Sequence, residues 1–122
     1  MINVWSVIQF LRDAQALSEE DCERIIPFCS AACAEVSSRL RRAEYGDVPA
    51  VTAACAGVAL YRFTLVKTAS EESFESMKAG DITVSRSAAS AAENASKFRD
   101  EALLAAAAYL TDVDFVFEAV NA

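Results

Sequence analysis

The four cysteines of this 122-residue chain are the side chains whose type and spacing most suggest chemistry. Cys29 and Cys33 lie one helical turn apart, and Cys22 precedes Cys29 by two turns. A structural zinc site usually takes its ligands from tight CxxC knuckles, and the sequence contains none. These three cysteines also share the apolar stripe of a predicted helix, where a thiol packs as a small apolar side chain. We therefore expect the cysteines to belong to the core, with no metal and no cofactor.

Acidic side chains are the next candidates for catalysis or metal binding. They form two groups, Glu71-Glu72 with Glu75, and Asp112 with Asp114. Neither group has the glycine and polar context of a calcium loop, and solvated acidic segments are much more common than sites. The chain has no histidine, which excludes the usual serine and cysteine triads. We assign no catalytic residue and predict that the protein is not an enzyme.

The charge balance also excludes a protein whose main work is binding phosphates. There are 11 Lys and Arg against 18 Asp and Glu, which gives a net charge of −7. The one basic cluster, Arg39 with Arg41 and Arg42, is expected to close a helix whose C-terminal dipole is negative. Binding to nucleic acid through counterion release needs several phosphate contacts, so we expect no sequence-specific DNA binding.

Alanine is the most frequent residue, 25 of 122, and it predicts an all-α fold. We expect a small bundle of about four helices in a single domain, residues 1–122. The helices are predicted near residues 3–16, from Ser18 to Leu40, near 49–69 and near 88–110. Ser18 with Asp21 resembles a capping box, and Pro27 must either kink the second helix or break it. Gly46 is placed to end that helix as a C-cap.

Two apolar segments fall outside the helical stripes. Residues 74–86 (the arm) contain Ile82-Thr83-Val84, a β-branched run typical of a strand. We expect an extended arm or β-hairpin there, paired with residues 74–78 or with another chain. Residues 112–122 (the tail) either fold back on the core or contact another subunit. The candidate subunit interface is Phe74, Met77, Ile82, Val84, Phe115, Phe117 and Val120.

The sequence contains no secretory or membrane-spanning signal. No stretch of about 18 uncharged apolar residues occurs, since Arg62 and Lys67 interrupt the longest one. The apolar N-terminus lacks the basic segment and cleavage site of a signal peptide. We therefore expect a cytoplasmic protein with reduced thiols and no membrane partner.

The order of features resembles the small head-tail connector (adaptor) proteins of tailed phages and prophages. The resemblance covers nearly the whole chain: Ile25-Ile26-Pro27-Phe28, Ala59-Leu60-Tyr61-Arg62-Phe63, Lys78-Ala79-Gly80-Asp81-Ile82-Thr83-Val84, an alanine-rich helix and a terminal Asp-Phe-Val-Phe-Glu-Ala-Val. Its most specific part is the Lys78 to Val84 segment before the alanine-rich helix.

The resemblance implies a structural role. Such a protein is a helical bundle with an extended arm, and its copies form a ring beneath the portal, joining portal to tail while DNA passes through. It implies portal and tail proteins as partners, and a location in the bacterial cytoplasm before incorporation into the virion. The residues themselves leave a second hypothesis open, a small acidic helical regulatory module that docks a partner protein.

Overall fold

The structure is a computed structural model, and the residues it describes form an all-α fold. It describes residues 2–15, 17–78 and 82–111, without the side chains of residues 70–78 and 82–89. Within these ranges there is no strand, which confirms the predicted helical bundle. The α-helices are α1 (Val4–Gln15), α2 (Glu19–Arg24), α3 (Ile26–Ser37), α4 (Pro49–Lys78) and α5 (Ile82–Ala106), and short 3-10 helices span Ala43–Asp47 and Ala107–Tyr109.

The predicted second helix is two helices, α2 and α3, which meet at Ile25. The Ser18 hydroxyl caps α2 by accepting a hydrogen bond of 3.1 Å from the Asp21 backbone N–H, as the capping box predicts. Pro27 lies in the first turn of α3, where a backbone N–H has no intrahelical acceptor to lose. The chain therefore breaks at Pro27 instead of kinking, and this break explains why the described residues form five helices where about four were expected.

The expected arm is not extended in the structure. Helix α4 continues to Lys78, and α5 already begins at Ile82, so residues 79–81 are the only part of the expected arm whose backbone lies outside the described residues. The prediction of a strand or β-hairpin near residues 74–86 was therefore wrong. A β-branched run is a weak signal, because adding a residue to an existing helix costs much less than nucleating a new element.

The segment after α3 also differs from expectation. Helix α3 ends at Ser37, and Gly46 lies buried inside a 3-10 helix, so Gly46 does not cap α3. The arginine cluster lies beyond the helix end and faces the C-terminal segment instead. The Arg41 backbone N–H donates to the Tyr109 carbonyl at 3.0 Å, and the Thr111 N–H donates to the Arg39 carbonyl at 2.7 Å. These are backbone hydrogen bonds between the segment after α3 and the segment after α5, and the Arg41 side chain adds one more, from its Nε to the Leu110 carbonyl at 2.9 Å.

Helix α4 is the centre of the bundle, and α5 runs antiparallel to it. A side chain on Gly57 would place its Cβ 2.8 Å from the Arg99 Cα, which is closer than real Cβ atoms approach. The two backbones can meet here only because residue 57 is glycine. Ala54, Ala56 and Ala59 are fully buried on the same helix, so small residues line much of its packed surface.

The α2–α3 unit is held against α4 by one aromatic contact and two ion pairs. The rings of Phe28 and Phe63 meet edge to face with centroids 5.7 Å apart. Arg62 of α4 pairs with Glu35 of α3 at 2.6 Å. Lys67 of α4 forms a second ion pair, at 2.7 Å, with Asp21 of α2, and both side chains are mostly shielded from solvent.

One helical segment of the described chain, Pro49–Ala69, is long and apolar enough to cross a membrane by length and composition. Its mean hydropathy is 1.4, and half of the segment is buried inside the fold. The central helix of a folded bundle satisfies the same criterion, so this finding is weak evidence for a membrane span.

Candidate functional site

The residues that the sequence nominated as a subunit interface lie outside the described side chains. Four of them belong to the C-terminal end of α4 and the N-terminal end of α5, where the structure describes the backbone alone, and three belong to the tail. The acidic groups at Glu71 and Asp112 lie in the same two regions. The described residues therefore do not test the expected subunit interface. Its members are Phe74, Met77, Ile82, Val84, Phe115, Phe117 and Val120.

An open groove lies between the end of α1 and the α4–α5 pair. Its volume is about 420 Å³. We call it the α1–α5 groove, because α1 and α5 form its walls and α4 lies beneath them. Volumes of this size are typical of sites that hold small molecules or protruding side chains. Its lining residues are Gln15, Leu60, Thr64, Ala91, Asn94, Ala95, Lys97, Phe98 and Glu101.

The groove has an apolar floor and a polar rim. Leu60 and Ala95 are buried, and Phe98 packs beside them with its ring 6.2 Å from that of Phe10 on α1. On the rim, Lys97 lies 3.6 Å from Glu93, one turn back along α5, and both side chains are largely exposed. Glu101 also lines the groove, so the charges of the rim are mixed. The groove is suited to an apolar side chain surrounded by polar contacts.

Three of the four thiols lie in the core, as the sequence predicted. Cys29, Cys33 and Cys55 are buried, and Cys22 is half-buried with its thiol 3.9 Å from the Leu17 carbonyl. Burial raises the pKa of Cys29 to about 12. A hydrogen bond between Cys55 and Cys33 raises the pKa of Cys55, which burial raises further, and lowers that of Cys33.

Thiols in this state pack as apolar side chains. Cys29 and Cys55 keep their protons at neutral pH, because an ionised thiol there would lose its hydration. Among the described residues, no group of three or more cysteine and acidic side chains is arranged to hold a metal ion. The described thiol cluster therefore contributes packing between α3 and α4.

Sequence reasoning missed the buried Arg99. Its side chain is 4% exposed, and its guanidinium lies 4.3 Å from the centroid of the Tyr61 ring on α4. The same guanidinium donates to the Asp100 carboxylate at 2.9–3.0 Å and to the Ser96 hydroxyl at 3.4 Å. Delocalised charge over an aromatic face makes arginine the basic residue best suited to such burial.

The signal for this burial was in the spacing along α5. The helical spacing of apolar residues in this segment predicts a buried face of Ala95, Phe98, Ala102, Ala106 and Tyr109. In the structure Phe98, Ala102 and Tyr109 are only half-buried. The fully packed positions are, in chain order, Ala95, Arg99, Leu103, Ala106 and Leu110. A helical face drawn through Leu103 and Leu110 would have placed Arg99 among the buried residues.

Four large apolar side chains remain exposed on the described surface. Trp5 on α1 is 69% exposed and Leu104 on α5 is 73% exposed, while Leu65 and Val66 on α4 are 39% and 54% exposed. Scattered apolar side chains are normal on protein surfaces, but a tryptophan and a leucine this open are suited to contact with another protein.

Comparison of the chain with protein-family models, with curated proteins and with solved structures finds no match.

Proposed function

We propose that this chain is a structural head-tail connector protein of a tailed phage or prophage, whose copies form a ring that joins portal to tail during virion assembly. The proposal begins with the order of sequence features, which resembles that family over nearly the whole chain. An all-α bundle is the fold that this resemblance implies, and the described residues have it. The described parts of the expected arm, residues 74–78 and 82–86, are helical, so the resemblance in those parts is one of sequence and not of an extended conformation.

The observation that carries the proposal is the unlike apolar surfaces of a single small chain. Trp5 and Leu104 protrude from the described bundle, and the α1–α5 groove is a concave apolar surface on the same molecule. A ring requires a heterologous contact, in which one surface of a subunit meets a different surface of the next. Protruding and concave surfaces on one chain supply such a pair.

The remaining partners follow from the same role. Portal and tail proteins bind the two faces of the ring, and DNA passes through it as cargo without sequence-specific contact. A net charge of −7 suits this role, because a strongly basic channel would retain the DNA backbone. Assembly takes place in the bacterial cytoplasm, and the ring then remains in the virion. No step in this role requires catalysis or a cofactor.

Native mass spectrometry and sedimentation velocity test the proposal directly. We expect the chain to form a closed oligomer of one defined size as its concentration rises, or when portal protein is added. The test variant is Trp5→Ser, which removes one exposed apolar side chain without touching the core and should weaken the oligomer. A strict monomer at high concentration that also fails to bind portal protein contradicts the proposal.

The α1–α5 groove favours a second candidate, a small helical module that docks one partner protein. Apolar grooves between helices commonly accept an amphipathic helix through a few protruding side chains. The two candidates differ in stoichiometry. A docking module binds its partner one to one and stays monomeric alone, whereas a connector associates with itself. Genes for portal, capsid and tail proteins beside this gene would favour the connector.

A further inference from the structure

We propose that the α1–α5 groove receives the tail, residues 112–122, of a neighbouring copy of this chain, with the ring of Phe117 inserted over Leu60 and Phe98. This inference rests on the proposed function and gives its ring a specific contact. The groove has a volume of about 420 Å³ and an apolar floor, and the tail carries two aromatic residues separated by a single residue. Aromatic side chains provide the largest buried area per residue at protein interfaces.

The length of the tail suits this contact. Eleven residues follow Thr111 in the sequence, and an extended chain advances about 3.3 Å per residue. Phe115 and Phe117 therefore lie at most roughly 13–20 Å from Thr111. Such a span is enough to reach the surface of an adjoining molecule, where a groove floor lined by few charges would accept the rings.

The course of the chain favours a neighbour over the molecule's own groove. Leu110 pairs with Leu40, and both the N–H and the hydroxyl of Thr111 donate to the Arg39 carbonyl, at 2.7 and 3.1 Å. The tail thus starts beside the segment that follows α3. The groove lies between α1 and α5, and no α3 residue lines it. The contacts where the tail starts and the lining of the groove therefore have no residue in common.

Two variants that each introduce a negative charge test the groove and the tail independently. Ala91→Glu places a carboxylate on the exposed rim of the groove, and Phe117→Asp removes one aromatic ring from the tail. Each variant alone should weaken self-association about tenfold or more, which is the usual effect of losing an aromatic anchor. Ala105→Glu, exposed on α5 away from the groove, and Ala119→Asp in the tail are controls of equal charge, and they should associate like the original chain.

Mixing the two variants is the decisive experiment. An Ala91→Glu chain keeps an intact tail, and a Phe117→Asp chain keeps an intact groove, so the mixture should form heterodimers that neither variant forms alone. Native mass spectrometry distinguishes the two chains by mass. Circular dichroism confirms that each is folded, and Asn94→Glu replaces Ala91→Glu if that variant is not. Heterodimers support the inference, and their absence overturns it.

The remaining outcomes separate this inference from the proposed function. A ring that forms equally well from every variant overturns the tail contact and leaves the connector proposal standing. If the original chain is monomeric, a labelled peptide of residues 111–122 is titrated against the Phe117→Asp chain. Binding that Ala91→Glu abolishes then supports the groove as the tail site while the connector proposal fails. No binding overturns both. Protection of the groove by its own tail in a monomer also overturns the inference.

Discussion

Gly57 shows how one residue sets the distance between the two long helices. Glycine usually weakens a helix, because its backbone loses the most conformational freedom on folding. At position 57 that cost is offset by the approach of α5, whose Arg99 Cα would lie 2.8 Å from any added Cβ. The obstacle is backbone rather than a flexible side chain, so it cannot move without shifting the helix.

Replacing this glycine with alanine tests the argument. Helix propensity alone would make Gly57→Ala stabilising by about 1 kcal/mol. We expect a net loss of about 1–3 kcal/mol in the free energy of unfolding, because overpacking forces α4 and α5 apart. Urea denaturation measures the change. The exposed Ala105→Gly on α5 is the control for propensity. A Gly57→Ala chain more stable than the original would contradict the close packing.

The buried thiol of Cys29 makes stability depend on pH. Its pKa is about 12 in the folded protein, because burial disfavours the thiolate, whereas in an unfolded chain a cysteine ionises near 8.5. Between these two values the folded state binds more protons than the unfolded state does. The contribution of Cys29 to stability is therefore complete below about pH 8.5 and is lost as the pH rises toward 12.

Unfolding by urea at a series of pH values from 8 to 10.5 measures this effect. Tyrosine and lysine titrate in the same range, so the comparison is with Cys29→Ala, in which the slope of stability against pH should be smaller. Equal slopes in the two chains would show that the Cys29 thiol ionises alike when folded and unfolded. Alkylation gives a second measurement, in which the half-buried Cys22 should react first.

At the scale of elements, local signals predicted helices well where a specific side chain begins or interrupts them. Ser18 and Pro27 act within one turn of their own positions, so the sequence alone placed the start of α2 and an interruption near Pro27, which it left open as a kink or a break. The run Ile82-Thr83-Val84 misled because β-propensity depends strongly on context. Here the run continues into an alanine-rich segment, and both belong to helix α5.

The groove could not be predicted, because it depends on tertiary placement. Leu60 and Phe98 are far apart in the sequence, and only the antiparallel pairing of α4 with α5 brings them together. Arg99 was missed for a related reason. A charged residue is assigned to the surface by default, and its burial requires the Tyr61 ring from another helix.

The N-cap of α2 provides a test at this scale. Ser18→Ala removes the oxygen that accepts from the Asp21 N–H, and we expect about 1 kcal/mol of lost stability. Ser30→Ala is the matched control, because Ser30 is exposed within α3, where alanine is the better helix former. Chemical denaturation of both chains should show a loss for the first and no loss for the second. Equal effects would mean that the cap contributes nothing.

At the scale of the whole molecule, the net charge must oppose any contact between copies. Each chain carries a net charge of −7, and the apolar groove, tail and exposed side chains supply the attraction in the proposed ring. Repulsion between like-charged copies weakens as salt shortens the screening length, which is about 10 Å at 0.1 M. Apolar attraction does not weaken in this way, so the balance should shift toward assembly.

Self-association should therefore strengthen as the salt concentration rises. We expect the apparent dissociation constant for self-association, measured by sedimentation, to fall severalfold between roughly 20 and 300 mM salt, because the screening length shortens over this range. The variant Glu23→Gln with Asp47→Asn removes two exposed charges and should associate more tightly at low salt, with a weaker salt dependence. Association that weakens with salt would show instead that oppositely charged patches hold the copies together, because only attraction between unlike charges is lost on screening.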